Sequence, residues 1–174
     1  SNNNSGLSFA EPLKTLDVAL KKANNSPGDT LYIYLDEGLY SKEENGEKFP
    51  IYCDDYVSII GSDIGQTILD ANNENSVLYL TNSCDHLLLK NLTLINGCSI
   101  GENRGPSAGG INCWDSDVTI ENLVITQCPG TDMDGAGGML TYNSNPTIIN
   151  TEISYNNIDG YSQTGGISCY KSNP

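Results

Sequence analysis

A chain of 174 residues, 37% hydrophobic and carrying 18 glycines, is long enough for a sizeable core and is most simply one domain, turn-rich rather than helical. Its 22 acidic and 8 basic residues leave a formal charge of −14, a field that repels phosphate backbones and argues against nucleic acid as a partner. No apolar run approaches the ~20 residues that cross a bilayer, since the best candidate, His86 to Ile95, is interrupted by Lys90 and Asn91.

In chain order, a polar opening is followed by "EPLKTLDVALKKANNSPGD" at 11–29, which predicts one amphipathic helix over about 12–24. Pro12 suits a first turn, and Leu13, Leu16, Leu20 and Ala23 recur at helical spacing. The run Asn24 to Gly28 stops the helix. A first strand, "TLYIYL" at 30–35, follows, with Leu31, Ile33 and Leu35 inward and Tyr32 and Tyr34 outward. Beyond it come "IYCDDYVSIIG" (51–61) and "LTNSCDHLLLKNLTLI" (80–95). The text then nearly repeats itself: "SAGGINCWDSDVTIENLVIT" at 107–126, "GAGGMLTYNSNPTIINTEIS" at 135–154, and a third beginning, "TGGISCYKSNP", at 164–174.

The repeat has fixed landmarks. Gly110, Gly138 and Gly166 are 28 apart, as are Asn122 and Asn150; Asn91 precedes Asn122 by 31, and Cys53 precedes Cys84 by 31. A period of 20–50 residues with constant polar positions marks a solenoid. Within each unit, period-2 alternation and β-branched residues between Gly, Asn and Ser predict three short strands and three corners. Coils stacked about 4.8 Å apart pair each strand in parallel with its copy in the next turn. The fold class is therefore an all-β parallel β-helix, with coils from about 30 to 174 and the helix at 12–24 covering the open end of the core. Asn91, Asn122 and Asn150 are expected above one another at a corner, where Asn tolerates left-handed backbone and stacked amides bond to each other. Ser172, Asn173 and Pro174 match Ser144, Asn145 and Pro146 in mid-repeat, so residues 1–174 are expected to be a piece of a longer chain.

Several motifs resemble a known family. The Pro-x-Lys-Thr run at Pro12–Thr15, Gly-Asp-Thr at Gly28–Thr30 and Gly-x-Tyr at Gly38–Tyr40 resemble the opening of the pectate-lyase-like, right-handed parallel β-helix repeat proteins of bacterial cell surfaces and secretomes. "YVSIIGSDIGQTILDA" (56–71) and the 107–126 unit resemble the coils that follow. The resemblance implies right-handed winding and an extracellular or cell-surface setting. It implies two functions on one fold: a non-catalytic stalk or adhesin-like module, or the N-terminal part of a lyase or hydrolase acting on acidic polysaccharide. Lyases of this type use Ca²⁺ held by several carboxylates, with an Arg or Lys base; Arg104 lies in a Gly/Pro loop without such a set, and no catalytic residue carries over.

Candidate chemistry is sparse. The acidic residues expected to face outward are Asp54, Asp55, Asp85, Asp115 and Asp117, with Asp54 and Asp85 stacking at the 31-residue spacing. In "PGTDMDGAGG" (129–138), Asp132 and Asp134 echo the start of a calcium loop and are the metal candidates, although Asp and Gly are also ordinary turn residues. That loop, the insertion 98–110 and the stretch 157–166 all precede a glycine pair, hence share one flank. Trp114 and Tyr161 lie near this flank, which makes carbohydrate, or another cell-surface protein, the expected partner. Strand edges on an uncovered last coil would allow self-assembly. Six cysteines with no CxxC pair argue against zinc and for an extracellular chain. Cys53/Cys84 and Cys98/Cys128 are near enough for disulfides, or stack as small apolar thiols, whereas Cys113 and Cys169 lie two turns apart. His86, the single histidine, reads as a surface residue.

Overall fold

The structure, a computed structural model, describes residues 1–23, 26–81, 84–99, 106–130, 135–157 and 164–174. The chain order is one helix, α1 (Leu16–Lys22), then thirteen strands: β1 (Leu31–Leu35), β2 (Gly38–Ser41), β3 (Ile51–Cys53), β4 (Val57–Gly61), β5 (Thr67–Asp70), β6 (Leu78–Leu80), β7 (Leu88–Ile95), β8 (Ile111–Trp114), β9 (Thr119–Thr126), β10 (Met139–Tyr142), β11 (Thr147–Ile149), β12 (Glu152–Ser154) and β13 (Ile167–Tyr170). Every pairing among these strands is parallel. This is the all-β, right-handed parallel β-helix with a short helix at its start.

Three columns of strands make the three sides. The first runs β1, β4, the front of β7, the front of β9 and β11; the second runs β2, β5, the back of β7, the back of β9 and β12. The third is the 5-stranded sheet β3-β6-β8-β10-β13. Inside, like side chains stack. Ile33, Ile59, Leu89, Ile120 and Ile148 share one row. Leu69, Leu94, Ile125 and Ile153 share another, and Ile51, Leu78, Ile111, Met139 and Ile167 a third.

The asparagine corner forms as the sequence predicts. Asn91, Asn122 and Asn150 have φ of 57°, 57° and 47°, the left-handed region that Asn adopts more readily than most residues. One such residue resets the side-chain parity, so Ile120 and Leu123, three positions apart, are both fully buried. Asn122 Nδ2 donates to Asn91 Oδ1 at 2.7 Å. The other two corners use the same device. Asn96, Gln127 and Tyr155 turn one of them, and Tyr56, Asp115, Asn143 and Lys171 turn the other, all with φ between 49° and 55°.

The cap helix differs from expectation. It begins at Leu16, not near residue 12, and ends at Lys22. Its start is fixed by distant acceptors. Thr15 is the N-cap, its side chain accepting from Val18 N, and Asn2 Oδ1 accepts from Lys14 N and Thr15 N at 3.0 and 3.2 Å. The Glu47 carboxylate accepts from Leu16 N at 2.6 Å and Asp17 N at 3.0 Å. Leu16 and Leu20 reach into the core, which makes the helix the expected cover. Glu47 itself is 2% exposed. Its burial raises the carboxyl pKa, against the opposing effect of three backbone N–H donors.

Candidate functional site

The flank beside the third sheet is built by the repeat's glycine pair. After each loop the chain makes an isolated parallel bridge, Ala108 to Ala136 and Ala136 to Thr164, then turns through the glycines into β8, β10 or β13. Asn112 anchors the turn from the outer face of the sheet: its Oδ1 accepts from Ala108 N at 2.7 Å, and its Nδ2 donates to Ala108 O at 2.9 Å and Ser76 Oγ at 3.0 Å. Ala108 and Ala136 thereby cover Leu140 on the outer face of the sheet, forming a second small apolar cluster edged by Trp114 and Tyr170.

Next to that cluster lies a row of aromatic rings. Trp114, Tyr142 and Tyr170 occupy one register position on successive strands. Trp114 and Tyr142 stack with centroids 4.6 Å apart at 21°, and Tyr170 follows 6.5 Å from Tyr142. Lys171 Nζ lies 5.9 Å from the Tyr142 centroid, within cation–π reach. All three aromatic residues are half-buried. Trp114 Nε1 is buried and has no acceptor among the described residues, an uncommon state for an indole donor.

The acidic corner is structural. Asp85 Oδ1 accepts from Asp117 N at 2.9 Å, Asp117 Oδ1 accepts from Asn145 N, and Asn145 Oδ1 accepts from Asn173 N at 3.0 Å. Beside this ladder runs a serine ladder: Ser116 Oγ accepts from Cys84 N, Ser144 Oγ from Ser116 N and Ser172 Oγ from Ser144 N, at 3.1, 3.0 and 3.1 Å. Asp115 accepts from Asn143 Nδ2 at 2.6 Å. At the 31-residue offset expected for Asp54 and Asp85, the carboxylate that bonds to the next coil is that of Asp55. It accepts from His86 N at 2.7 Å, and both its oxygens lie 3.2 Å from His86 Nδ1. His86 is exposed, as expected for a surface residue, and its ring stacks on Tyr56 at 4.3 Å.

All six cysteines are free thiols. Cys113 and Cys169 are separated by Thr141 in the register, two turns as predicted. Burial pushes the Cys84 thiol up to about 11 and those of Cys113 and Cys128 up to about 12; Cys53, fully enclosed, is raised further. These thiols act as small apolar side chains in the stack.

Asp132 and Asp134, the metal candidates, lie outside the described residues, as do Arg104 and Tyr161. Among the described residues no group of three or more His, Cys, Asp or Glu side chains is placed to hold a metal ion. No described helix is long and apolar enough to cross a membrane.

A family model covers residues 1–173 of the chain. The chain belongs to DUF1565, a family of proteins of unknown function. None of the curated proteins and none of the solved structures matches it. One feature lay beyond sequence reasoning: Leu7 and Phe9, each 90% exposed, and Tyr32 and Tyr34 border a groove at the cap end. Alternation marked the two tyrosines as outward-facing, but nothing local shows that residues 5–13 fold back to form the opposite wall.

Proposed function

We propose that this β-helix is a non-catalytic, secreted or cell-surface module of the pectate-lyase-like type, a stalk or adhesin-like segment that binds carbohydrate on the flank of its third sheet. The observation that supports this is the row Trp114, Tyr142 and Tyr170, half-buried, one ring per coil, beside the loops that precede the glycine pairs. Rings with an apolar face and a polar edge suit the two-sided surface of a sugar. Asp85, Asp115 and Asp117, three of the outward carboxylates that a lyase reading would recruit, are instead occupied as acceptors between coils. A surface setting agrees with the acidic, solvated exterior.

Trp114 is the only tryptophan, so its emission reports directly on this flank. Titration of a panel of neutral and acidic soluble glycans is expected to shift that emission, and Tyr142→Ala to weaken the response at least fivefold. Release of ultraviolet-absorbing unsaturated products, stimulated by Ca²⁺, would replace this reading with a lyase; emission unmoved by every glycan would remove the binding function from this flank.

A further inference from the structure

The cap end carries a groove of about 680 Å³ that neither the third-sheet flank nor the acidic corner uses. One wall is the consecutive run Leu31 to Leu35; the other comes from residues 5–9 and 12–13, and α1 closes the floor with Ala19 and Lys22. Consecutive strand residues point alternately to opposite faces. They line a groove together only when the strand presents its edge to it.

β1 does so. Among the described residues it is the end strand of its sheet and pairs only with β4. In a parallel ladder the N–H and C=O of alternate residues point to the same neighbour. Leu31 N donates to Tyr56 O at 3.0 Å, so Leu31, Ile33 and Leu35 face β4, and the backbone groups of Tyr32 and Tyr34 turn into the groove. β1 spans roughly 5 × 3.3 Å, about 16 Å. Protein strand edges of this kind are normally blunted or covered; here the helix covers the core but leaves the edge open between walls.

We infer that this groove receives an extended segment of a partner polypeptide, added to β1 as a further strand. Two observations select this occupant. The unpaired backbone groups of Tyr32 and Tyr34 ask for the complementary N–H and C=O of another extended backbone, with apolar walls for alternate side chains. Charge selects further. The charged residues that line the groove are Lys22, beside the helix, and Asp36, at the end of β1. Lys21 is paired with Asp17, whereas Lys22 Nζ contacts backbone carbonyls, Asn2 O at 3.5 Å and Asn4 O at 2.8 Å. A segment with an acidic side chain facing Lys22 completes that pair. The walls admit one extended chain and obstruct the edge of a second solenoid. This proposal stands apart from the carbohydrate flank.

The test uses a random octapeptide library selected on the whole chain, followed by fluorescence anisotropy with the winning peptide and hydrogen exchange with and without it. Tyr34→Pro removes one groove-facing N–H and leaves the bonds to β4 in place. The expected result is a selected peptide rich in alternating apolar residues. Its affinity falls at least tenfold with Tyr34→Pro and with an ester replacing its central amide. The amides of Tyr32 and Tyr34 exchange fast in the free chain and slow on binding, a readout that holds even where the proline variant unfolds. Failure to select any peptide, unchanged exchange at both amides, protection by a soluble glycan instead, or a free chain that sediments as a dimer with both amides already slow, each overturns the proposal.

Discussion

Gly110, Gly138 and Gly166 hold the same place in the repeat, yet alanine at the three sites is predicted to have three different costs. None has a positive φ, so the backbone itself would accept alanine; what differs is the space. At Gly110 a Cβ would lie 2.5 Å from Ile125 Cγ2 and closer still to Gly138 O, roughly 1 Å inside the ~3.5 Å at which carbon contacts are optimal. Gly138 O cannot retreat cheaply, because it accepts the ladder bond from Ile111 N at 2.9 Å. Overpacking costs about 1–3 kcal/mol, and weakening that bond adds about 1 kcal/mol. Gly110→Ala should then cost roughly 2–4 kcal/mol, a fall of about 4–16 °C in Tm for a chain of this size. At Gly138 the nearest atoms are the Ile153 methyl, Gly166 O at 2.9 Å and Asn156 Nδ2 at 3.0 Å. The methyl and the amide belong to side chains that can give, so the cost is intermediate. At Gly166 the nearest atom is Thr164 Oγ1 at 4.0 Å, and alanine should fall within about 0.5 kcal/mol of wild type. Thermal melts by circular dichroism of the three variants measure the order. Equal destabilisation at all three sites would refute the reasoning, since it would mean that glycine serves the turn conformation and not the close approach of coils.

The same geometry yields further expectations. Asn122→Ala should cost about 2–3 kcal/mol in denaturant titration, the left-handed penalty of ~1–2 plus one hydrogen bond of ~1, and Asn122→Gly should recover the first part; equal losses would count against the left-handed argument. Under native conditions Cys169, the exposed thiol, should react with a disulfide reagent first, and Cys53, Cys84, Cys113 and Cys128 only on unfolding; mass spectrometry after brief labelling identifies the modified sites, and early labelling of the buried four would contradict their burial. At the acidic ladder Asp117→Asn should be nearly neutral, whereas Asp117→Ala should cost about 1–2 kcal/mol for the lost acceptor; the two unfolding midpoints decide. Glu47 has a folded pKa raised mainly by burial, so its contribution to stability is full below its unfolded value of about 4.3 and is lost as pH rises through the raised one. The stability of wild type relative to Glu47→Gln should therefore fall from pH 4 to pH 8, and a relative stability that rises with pH would reverse the sign of the burial effect.

What was legible in the sequence was whatever each coil states locally. Asparagine marked one corner because its residue type favours the left-handed turn. The corners at Gln127, Tyr155 and Lys171 carry no such mark, since those types adopt that conformation only when the stack imposes it. The aliphatic rows followed from period-2 alternation, and the flank from the glycine pairs. The helix boundary was misread because Leu13 continues the apolar spacing, while the groups that end the helix at Thr15 and Leu16 sit on Asn2 and Glu47, remote in sequence. The 31-residue spacing read from Cys53 and Cys84 holds at this corner, where Asp55 bonds His86 at the same offset, and it shortens to 30 only in the strand that follows, at Ser58 and Leu88.

The repeats also serve as a comparison made within one molecule. Along the acidic corner the side chain that accepts from the next coil is Asp85, then Asp117, then Asn145. Acid–base or cation-binding duty needs the negative charge, and the amide cannot supply it. Accepting a backbone N–H needs only an oxygen, which both types present. The chain exchanges one for the other while keeping the hydrogen bond, so the conserved requirement across its own coils is the acceptor. The aromatic row behaves differently: Trp114, Tyr142 and Tyr170 differ in type but each keeps a large, half-buried ring on three successive coils. A ring kept from coil to coil on an accessible face suits a partner better than a carboxylate that an amide replaces, so the flank, and not the corner rich in carboxylates, is where a partner is to be sought.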